Sequence, residues 1–189
     1  MRRDQLEHAI RAACDVSGDT ELLIFGSQAI LGSYPNAPDS LRASIEVDVQ
    51  AKNCPDNTDL IDGALGELSQ FHTTHGFYVH GVSIEAATLP RGWDHRTVAV
   101  SNEATRGNTG YCLEAHDLAA SKLVAGREKD RVFVATLLME ILVDSETLLQ
   151  RVSALPIEAE RRESIARWIR VTAEDIAQSS PKDPRMSGS

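Results

Sequence analysis

With 189 residues, 42% of them apolar, the chain is long enough for one domain, or one domain with a helical appendage. A net charge of −9 argues against a general nucleic-acid-coating role, which needs clustered Lys and Arg, while leaving room for a local basic patch. No apolar run reaches the roughly 18 residues of a membrane span. The longest, 132–143, carries Glu140, and the N-terminus lacks the apolar core of a signal peptide, so a cytoplasmic setting with no membrane partner is expected.

Leu6, Ile10 and Ala13 recur at helical spacing and predict an amphipathic helix over 4–14, broken by Val-Ser-Gly-Asp at 16–19. The apolar run Leu22–Phe25 reads as a buried strand that stops at Gly26-Ser27, and 33–41 is turn-rich loop. Ile45-Glu-Val-Asp-Val49 alternates with the period of a strand. After a second loop, with Asn57 or Thr58 as helix cap, helical spacing runs from Leu60 to about Phe71 despite Gly63 and Gly66. Residues 77–112 read as short β segments: "FYVHGVSIEAATL", "TVAVS" and "GYCLE". Helices are expected near 114–126, 130–143, 145–154 and 158–178, the third capped by Asp144 or Ser145.

The polar, Pro/Gly/Ser-rich segment 179–189 reads as a disordered tail. The expected fold is therefore α+β: a mixed β-sheet braced by helices over 1–112, with an all-helical part over 113–178 packed on it. Three scattered cysteines, Cys14, Cys54 and Cys112, without C-x-x-C spacing, read as reduced and mostly buried thiols.

The chemistry centres on Glu46 and Asp48. Residues i and i+2 of a strand share a face, so two carboxylates project together while Val47 and Val49 face the core. Like charges this close repel unless a cation sits between them. Carboxylate oxygens suit Mg²⁺ or Mn²⁺, which binds through one or two carboxylates and substrate phosphates. Isolated, such a pair is most often a solvated strand face. Here Gly26-Ser27 ends the preceding strand, where glycine lets backbone approach a ligand and a hydroxyl and nearby N–H groups can hold phosphate.

"GSQAILG" followed by "EVDV" resembles the Gly-Ser…[DE]-h-[DE]-h signature of the polymerase-β-like nucleotidyltransferase superfamily. "RASIEVDV", residues 42–49, is similar to the version found in AbiEii-like toxins and related bacterial families. "LEAHDLAASKLVAGREKDRVF", 113–133, resembles their D-L-x-x-x-K-L-x-A-x-R-x-x-D segment, and "LPRGWDHRTVAV" their linking segment, so the likeness spans roughly 20–140.

The resemblance implies that Gly26 and Ser27 hold nucleotide phosphates, Glu46 and Asp48 ligate metal, and Lys122 reaches the triphosphate. Arg42 would steady the carboxylates or meet a phosphate. The superfamily's third, base-like carboxylate is not evident; Glu85 is the first candidate and Asp130 the second. Glu46 stands where Asp is more usual, and Gln28 follows Gly-Ser.

The implied activity is metal-dependent transfer of NMP from an NTP to a hydroxyl, on RNA such as a tRNA 3′ end or on protein, in a toxin-like setting with an antitoxin partner. The alternative is a catalytically lapsed domain that binds a nucleotide or a partner protein. His72, His75 and His80 cluster around a turn but lack a placed carboxylate partner, which makes them weak metal candidates. Trp93 and Trp168 read as packing residues, and Arg161, Arg162, Arg167 and Arg170, interspersed with glutamates, as a salt-bridged solvated face.

Overall fold

The structure is a computed structural model that describes residues 1–179; the expected disordered tail lies, past Ser179, outside them. Helix α1 (Arg3–Ser17) buries Leu6, Ala9, Ile10 and Ala13 and stops at Gly18, whose φ of 69° no branched residue adopts readily. Strand β1 (Glu21–Phe25) follows, then a 3-10 turn at Ser27–Ala29 and one turn of helix, α2 (Ile30–Ser33). Strand β2 (Glu46–Ala51) leads to α3 (Thr58–Leu65), α4 (Gln70–His75) and β3 (Tyr78–Gly81). Strands β4 (Val98–Val100) and β5 (Thr109–Cys112) complete a five-stranded sheet of order β3-β2-β1-β5-β4. Helices α5 (Ala115–Ala125), α6 (Glu128–Met139), α7 (Ser145–Ser153) and α8 (Ala159–Ser179) finish the described chain. This is the α+β architecture expected, with a mixed sheet: β1 runs antiparallel to β2 and parallel to β5, and β2 runs parallel to β3.

The two faces of the sheet differ. Ile24 and Val49 are paired in register, as are Val49 and Gly81, so these share one face. A Cβ on Gly81 would lie 2.8 Å from the Asp62 backbone nitrogen, and one on Gly110 2.9 Å from Ile10 Cγ1, which puts α3 and α1 on that face. The other face carries Glu21, Glu46, Asp48, Gln50, Tyr78, His80 and Tyr111 at the alternate positions, with Leu23 and Phe25 of the central strand among them, and is mostly polar. Burying Val47 and Val49 completely against α1 and α3 fixes the register, because a one-residue slip would drive Asp48 into the core. One continuous set of buried apolar side chains runs from α1 to α8. Asp117, wholly buried, ties the helical part to the loop before β4: it accepts from Arg96 Nε and Nη2 at 2.8 and 2.9 Å, and Arg151 Nε of α7 lies 3.2 Å away.

Local differences from the sequence reading have identifiable causes. The helix expected to run to Phe71 is two helices: Gly66 closes α3 through its N–H on the Asp62 carbonyl, Leu68 takes φ 65°, and Ser69 caps α4 by accepting from His72 N–H. Neither Asn57 nor Thr58 caps α3 through its side chain. The Asn57 amide donates to the Ser17 carbonyl and the Thr58 hydroxyl accepts from Ala51 N–H. Strand β3 ends at Gly81, and Ile84–Ala86 is a 3-10 turn, because Ser83 accepts from Glu85 N–H and the Gln50 side chain accepts from Ile84 N–H.

The helix expected over 130–143 starts earlier, at Glu128, and stops at Met139, and Asp144 caps α7 by accepting from Thr147 N–H. Cys14 and Cys112 are buried, and burial pushes both thiols up to about 12, whereas Cys54 is exposed. Trp93 and Trp168 pack against the core. On α8, Arg161 donates to the Val124 carbonyl and Arg162 to those of Leu155 and Ile157, so these two fasten backbone rather than form a salt-bridged face; Arg170 does pair with Glu163, at 3.2 Å. Among the described residues no helix is long and apolar enough to cross a membrane.

Candidate active site

Strand β2 delivers Glu46 and Asp48 to the polar face two residues apart, both partly exposed. The register pairs Phe25, the last residue of β1, with Asp48, so the chain leaves β1 at Gly26 directly against that carboxylate. Gly26 has φ 69° and ψ −172°, a backbone region reserved for glycine. A Cβ there would lie 2.9 Å from Asp48 Cγ and closer still to Oδ2. Glycine is therefore required twice, for its dihedrals and for the space the aspartate occupies. The Ser27 hydroxyl, half-buried at the start of the following turn, has no partner among the described residues and remains available. The side chain of Gln28 is fully buried, and neither its Nε2 nor its Oε1 finds a partner among the described residues.

The parallel pairing of β2 with β3 sets Tyr78 beside Glu46 and His80 beside Asp48. His80 Nδ1 lies 3.0 Å from Asp48 Oδ1 and 3.3 Å from Glu46 Oε1. One oxygen of Asp48 thus meets the Gly26 backbone and the other meets the imidazole. Ligand atoms of Glu46, Asp48 and His80 all lie within 4.8 Å of one another, close enough to share one metal ion. Burial, and next the Asp48 charge, push the Glu46 carboxyl above its usual value, which the neighbouring His80 and the Tyr78 hydroxyl offset only in part. A pair whose negative charge is under-compensated, open to solvent and set against a glycine that leaves room for it, suits a divalent cation.

Helices α5 and α6 supply the opposite charge. Lys122, nine-tenths buried, donates to Asp130 Oδ1 at 3.3 Å and lies 4.8 Å from the centre of the Phe133 ring. Arg127 donates from Nε to Asp130 Oδ2 at 2.6 Å. Burial lowers the Lys122 ammonium below its usual value, and the Asp130 carboxylate beside it recovers part of the loss. Burial acts to raise Asp130, but hydrogen bonds and charge from Arg127 and Lys122 outweigh it and hold the acid below the usual carboxylate range. Lys122 and Arg127 both feel the Asp48 charge, Arg127 also that of Glu46, and Lys129 acts on Glu46. Lys122 on α5, Arg127 in the turn and Lys129 on α6 thus bring positive charge within electrostatic reach of the acidic pair.

Of the residues singled out from the sequence, Gly26, Ser27, Glu46 and Asp48 come together at one end of β1 and β2, with Lys122 across from them. Asp130 is drawn in only through Lys122 and Arg127, as their shared counter-ion. Glu85 is not brought in. It sits past the far end of β3, in a recess with Gln50, Asp56, Thr58 and Asp59. The Arg42 guanidinium pairs with Asp39, and its carbonyl accepts from the Met1 amino group, so it does not reach the carboxylates. His72 meets the Tyr78 ring at a tilt and His75 packs edge-on against His8, and neither joins His80 beside the two carboxylates. His80, read from the sequence as a weak metal candidate for want of a carboxylate partner, has two in Glu46 and Asp48, and Arg127 is the participant that sequence reasoning passed over. His80 shares the period-two spacing of Tyr78 and His80 with Glu46 and Asp48, and Arg127 lies inside the R-x-x-D segment.

An acidic pair held on a strand, with fixed cations across a backbone turn, is suited to gripping a polyphosphate through a divalent ion, and on a mixed sheet of this kind that arrangement is a nucleotidyltransferase's. The family comparison agrees: residues 4–174 match the model described as "Nucleotidyltransferase of unknown function" (DUF6036), and the chain belongs to that family. No curated protein and no solved structure matches the chain.

Proposed function

We propose that the chain is a metal-dependent enzyme that transfers NMP from an NTP to a hydroxyl group. The observation that carries this is the Asp48 carboxylate seated against Gly26 with Glu46 beside it. Glu46 and Asp48 would hold Mg²⁺ or Mn²⁺, which when bound neutralises triphosphate charge and acidifies an acceptor hydroxyl. The Gly26-Ser27 turn would offer its hydroxyl to phosphate oxygens. Lys122 and Arg127, held by Asp130, would meet charge that develops on the leaving pyrophosphate; cations fixed in advance need no reorganisation as the reaction proceeds. For the acceptor we take an RNA end, a tRNA 3′ end first, with a protein hydroxyl second, in a toxin-like role countered by an antitoxin protein. The resemblance of "RASIEVDV" and the Lys122 segment to AbiEii-like toxins supports that choice.

The test is incorporation of label from each α-labelled NTP, with Mg²⁺ or Mn²⁺, into total tRNA and into protein. Wild type should transfer, and Asp48→Ala, with its fold checked by circular dichroism, should not. Equal transfer by the two would remove Asp48 from the mechanism and the proposal with it.

A second reading, a lapsed domain that binds NTP without transfer, has one observation in its favour. No third carboxylate among the described residues stands free at the acidic pair: Asp130 is committed to two cations, and Glu85 lies elsewhere. NTP binding without transfer to any acceptor would select it.

A further inference from the structure

Resting on the reading above, we infer that His80 is a third protein ligand of the cation site, through Nδ1, and that the site therefore selects first-row transition dications, Mn²⁺ among them, over Mg²⁺.

Geometry comes first. Cis donors around an octahedral ion with bonds near 2.1 Å stand about 3.0 Å apart. The separations of His80 Nδ1 from Asp48 Oδ1, 3.0 Å, and from Glu46 Oε1, 3.3 Å, match that edge without any side chain having to move far. The imidazole is fixed there by pairing, since His80 stands in register with Asp48 on the neighbouring parallel strand. Gly26 backs one oxygen of Asp48, and Tyr78 stands in register beside Glu46, so both carboxylates have fixed neighbours, as metal ligands commonly do.

Chemistry decides the metal. Mg²⁺ takes oxygen donors almost exclusively and dehydrates reluctantly. An imidazole nitrogen favours first-row transition ions, while two carboxylates keep Mn²⁺ within range. A donor set of two oxygens and one nitrogen thus discriminates against Mg²⁺ at the one position where an all-carboxylate site would welcome it. The competing role for His80, a hydrogen-bond donor bridging two carboxylates, predicts no such discrimination.

The test uses the full chain without NTP. Mn²⁺ binding is followed by loss of the free-ion electron paramagnetic resonance signal, and Mg²⁺ by competition against it. Electron spin-echo modulation then reports whether nitrogen is bound to the manganese. Wild type should bind Mn²⁺ at least about tenfold more tightly than Mg²⁺ and show nitrogen modulation. In His80→Asp, where three carboxylates face the ion, the modulation should vanish and the two affinities converge to within about threefold, Mg²⁺ gaining most.

His80 lies on an edge strand with a partly exposed side chain, so the substitution opens no hole in the core. The wild-type spectrum, moreover, tests the ligand directly and does not depend on how any variant folds. Equal affinities in wild type without nitrogen modulation would overturn this inference alone. No binding of either ion, with NTP present or absent, would overturn it together with the proposed transfer.

Discussion

Gly26→Ala is the most informative single perturbation of the site, because it adds one methyl group where the structure allows none. Two effects separate. The first is conformational: φ 69° with ψ −172° is a region that residues with a Cβ avoid, at about 1–3 kcal/mol. For a chain of this length that lowers Tm by roughly 3–10 °C. The second is steric and local. The new Cβ would meet Asp48 Cγ at 2.9 Å and Oδ2 closer still, so the carboxylate must retreat by an ångström or more before contact becomes ordinary. A metal–oxygen bond near 2.1 Å does not survive such a shift, and misplacing a reacting group by about 1 Å can cost on the order of 100-fold in rate.

The expected result is therefore a modest loss of Tm by scanning fluorimetry beside a loss of roughly 100-fold or more in Mn²⁺·NTP binding or transfer. Ser27→Ala, which keeps the glycine, should leave Tm unchanged and lose far less. A Gly26→Ala protein that binds Mn²⁺·NTP as wild type does would refute the claim that the turn and Asp48 form one site.

Two further outcomes probe the frame around the site. Asp117→Ala strips Arg96 and Arg151 of their buried counter-charge; because both arginines keep some exposure, the expected loss is about 2–3 kcal/mol, read as a lower denaturation midpoint with an unchanged slope. His116 lies 2.7 Å from Glu114 Oε1 and 3.2 Å from Asp144 Oδ2. Burial works to lower its pKa, but the two carboxylates prevail and hold it above the usual 6.5. A raised folded-state value gives stability that is complete below 6.5 and fades as pH climbs through the folded value. Wild-type Tm should therefore fall from about pH 6.5 upward, and His116→Gln should remove that slope. An unchanged slope in the variant would assign the pH dependence to other groups.

What could be read in the sequence is what is local. The period-two spacing of Glu46 and Asp48 put both on one face, with Val47 and Val49 opposite, and the strand obeys it because both valines are fully buried. Gly-Ser after an apolar run announced the turn. What escaped depends on partners distant in sequence. His80 joins Asp48 only because β3 pairs with β2 in one particular register, across a crossover whose length fixes nothing about alignment. Asn57 does stand at the N-cap of α3, but its side-chain amide serves Ser17 in α1 instead of the helix, and Arg42, four residues from Glu46, is claimed by Asp39. Glu85 alternated plausibly with its neighbours until Ser83 and Gln50 captured the backbone N–H groups that would have extended the strand.

The placement of charge links these observations. The chain as a whole is acidic, at −9, which disfavours the approach of a polyphosphate, so locally fixed cations matter to its capture. Lys122 and Arg127 are fixed in that way by the buried Asp130 between them. The aspartate is held below the usual carboxylate range by the same two partners, which also feel the charge of Asp48. Removing Asp130 would free the cations rather than remove them, and Lys122, lowered by burial, would lose the charge that most offsets that burial. Asp130, offered from the sequence as a second candidate base, is thus paired with both cations, and the positive charge near Glu46 and Asp48 is held by a buried negative one.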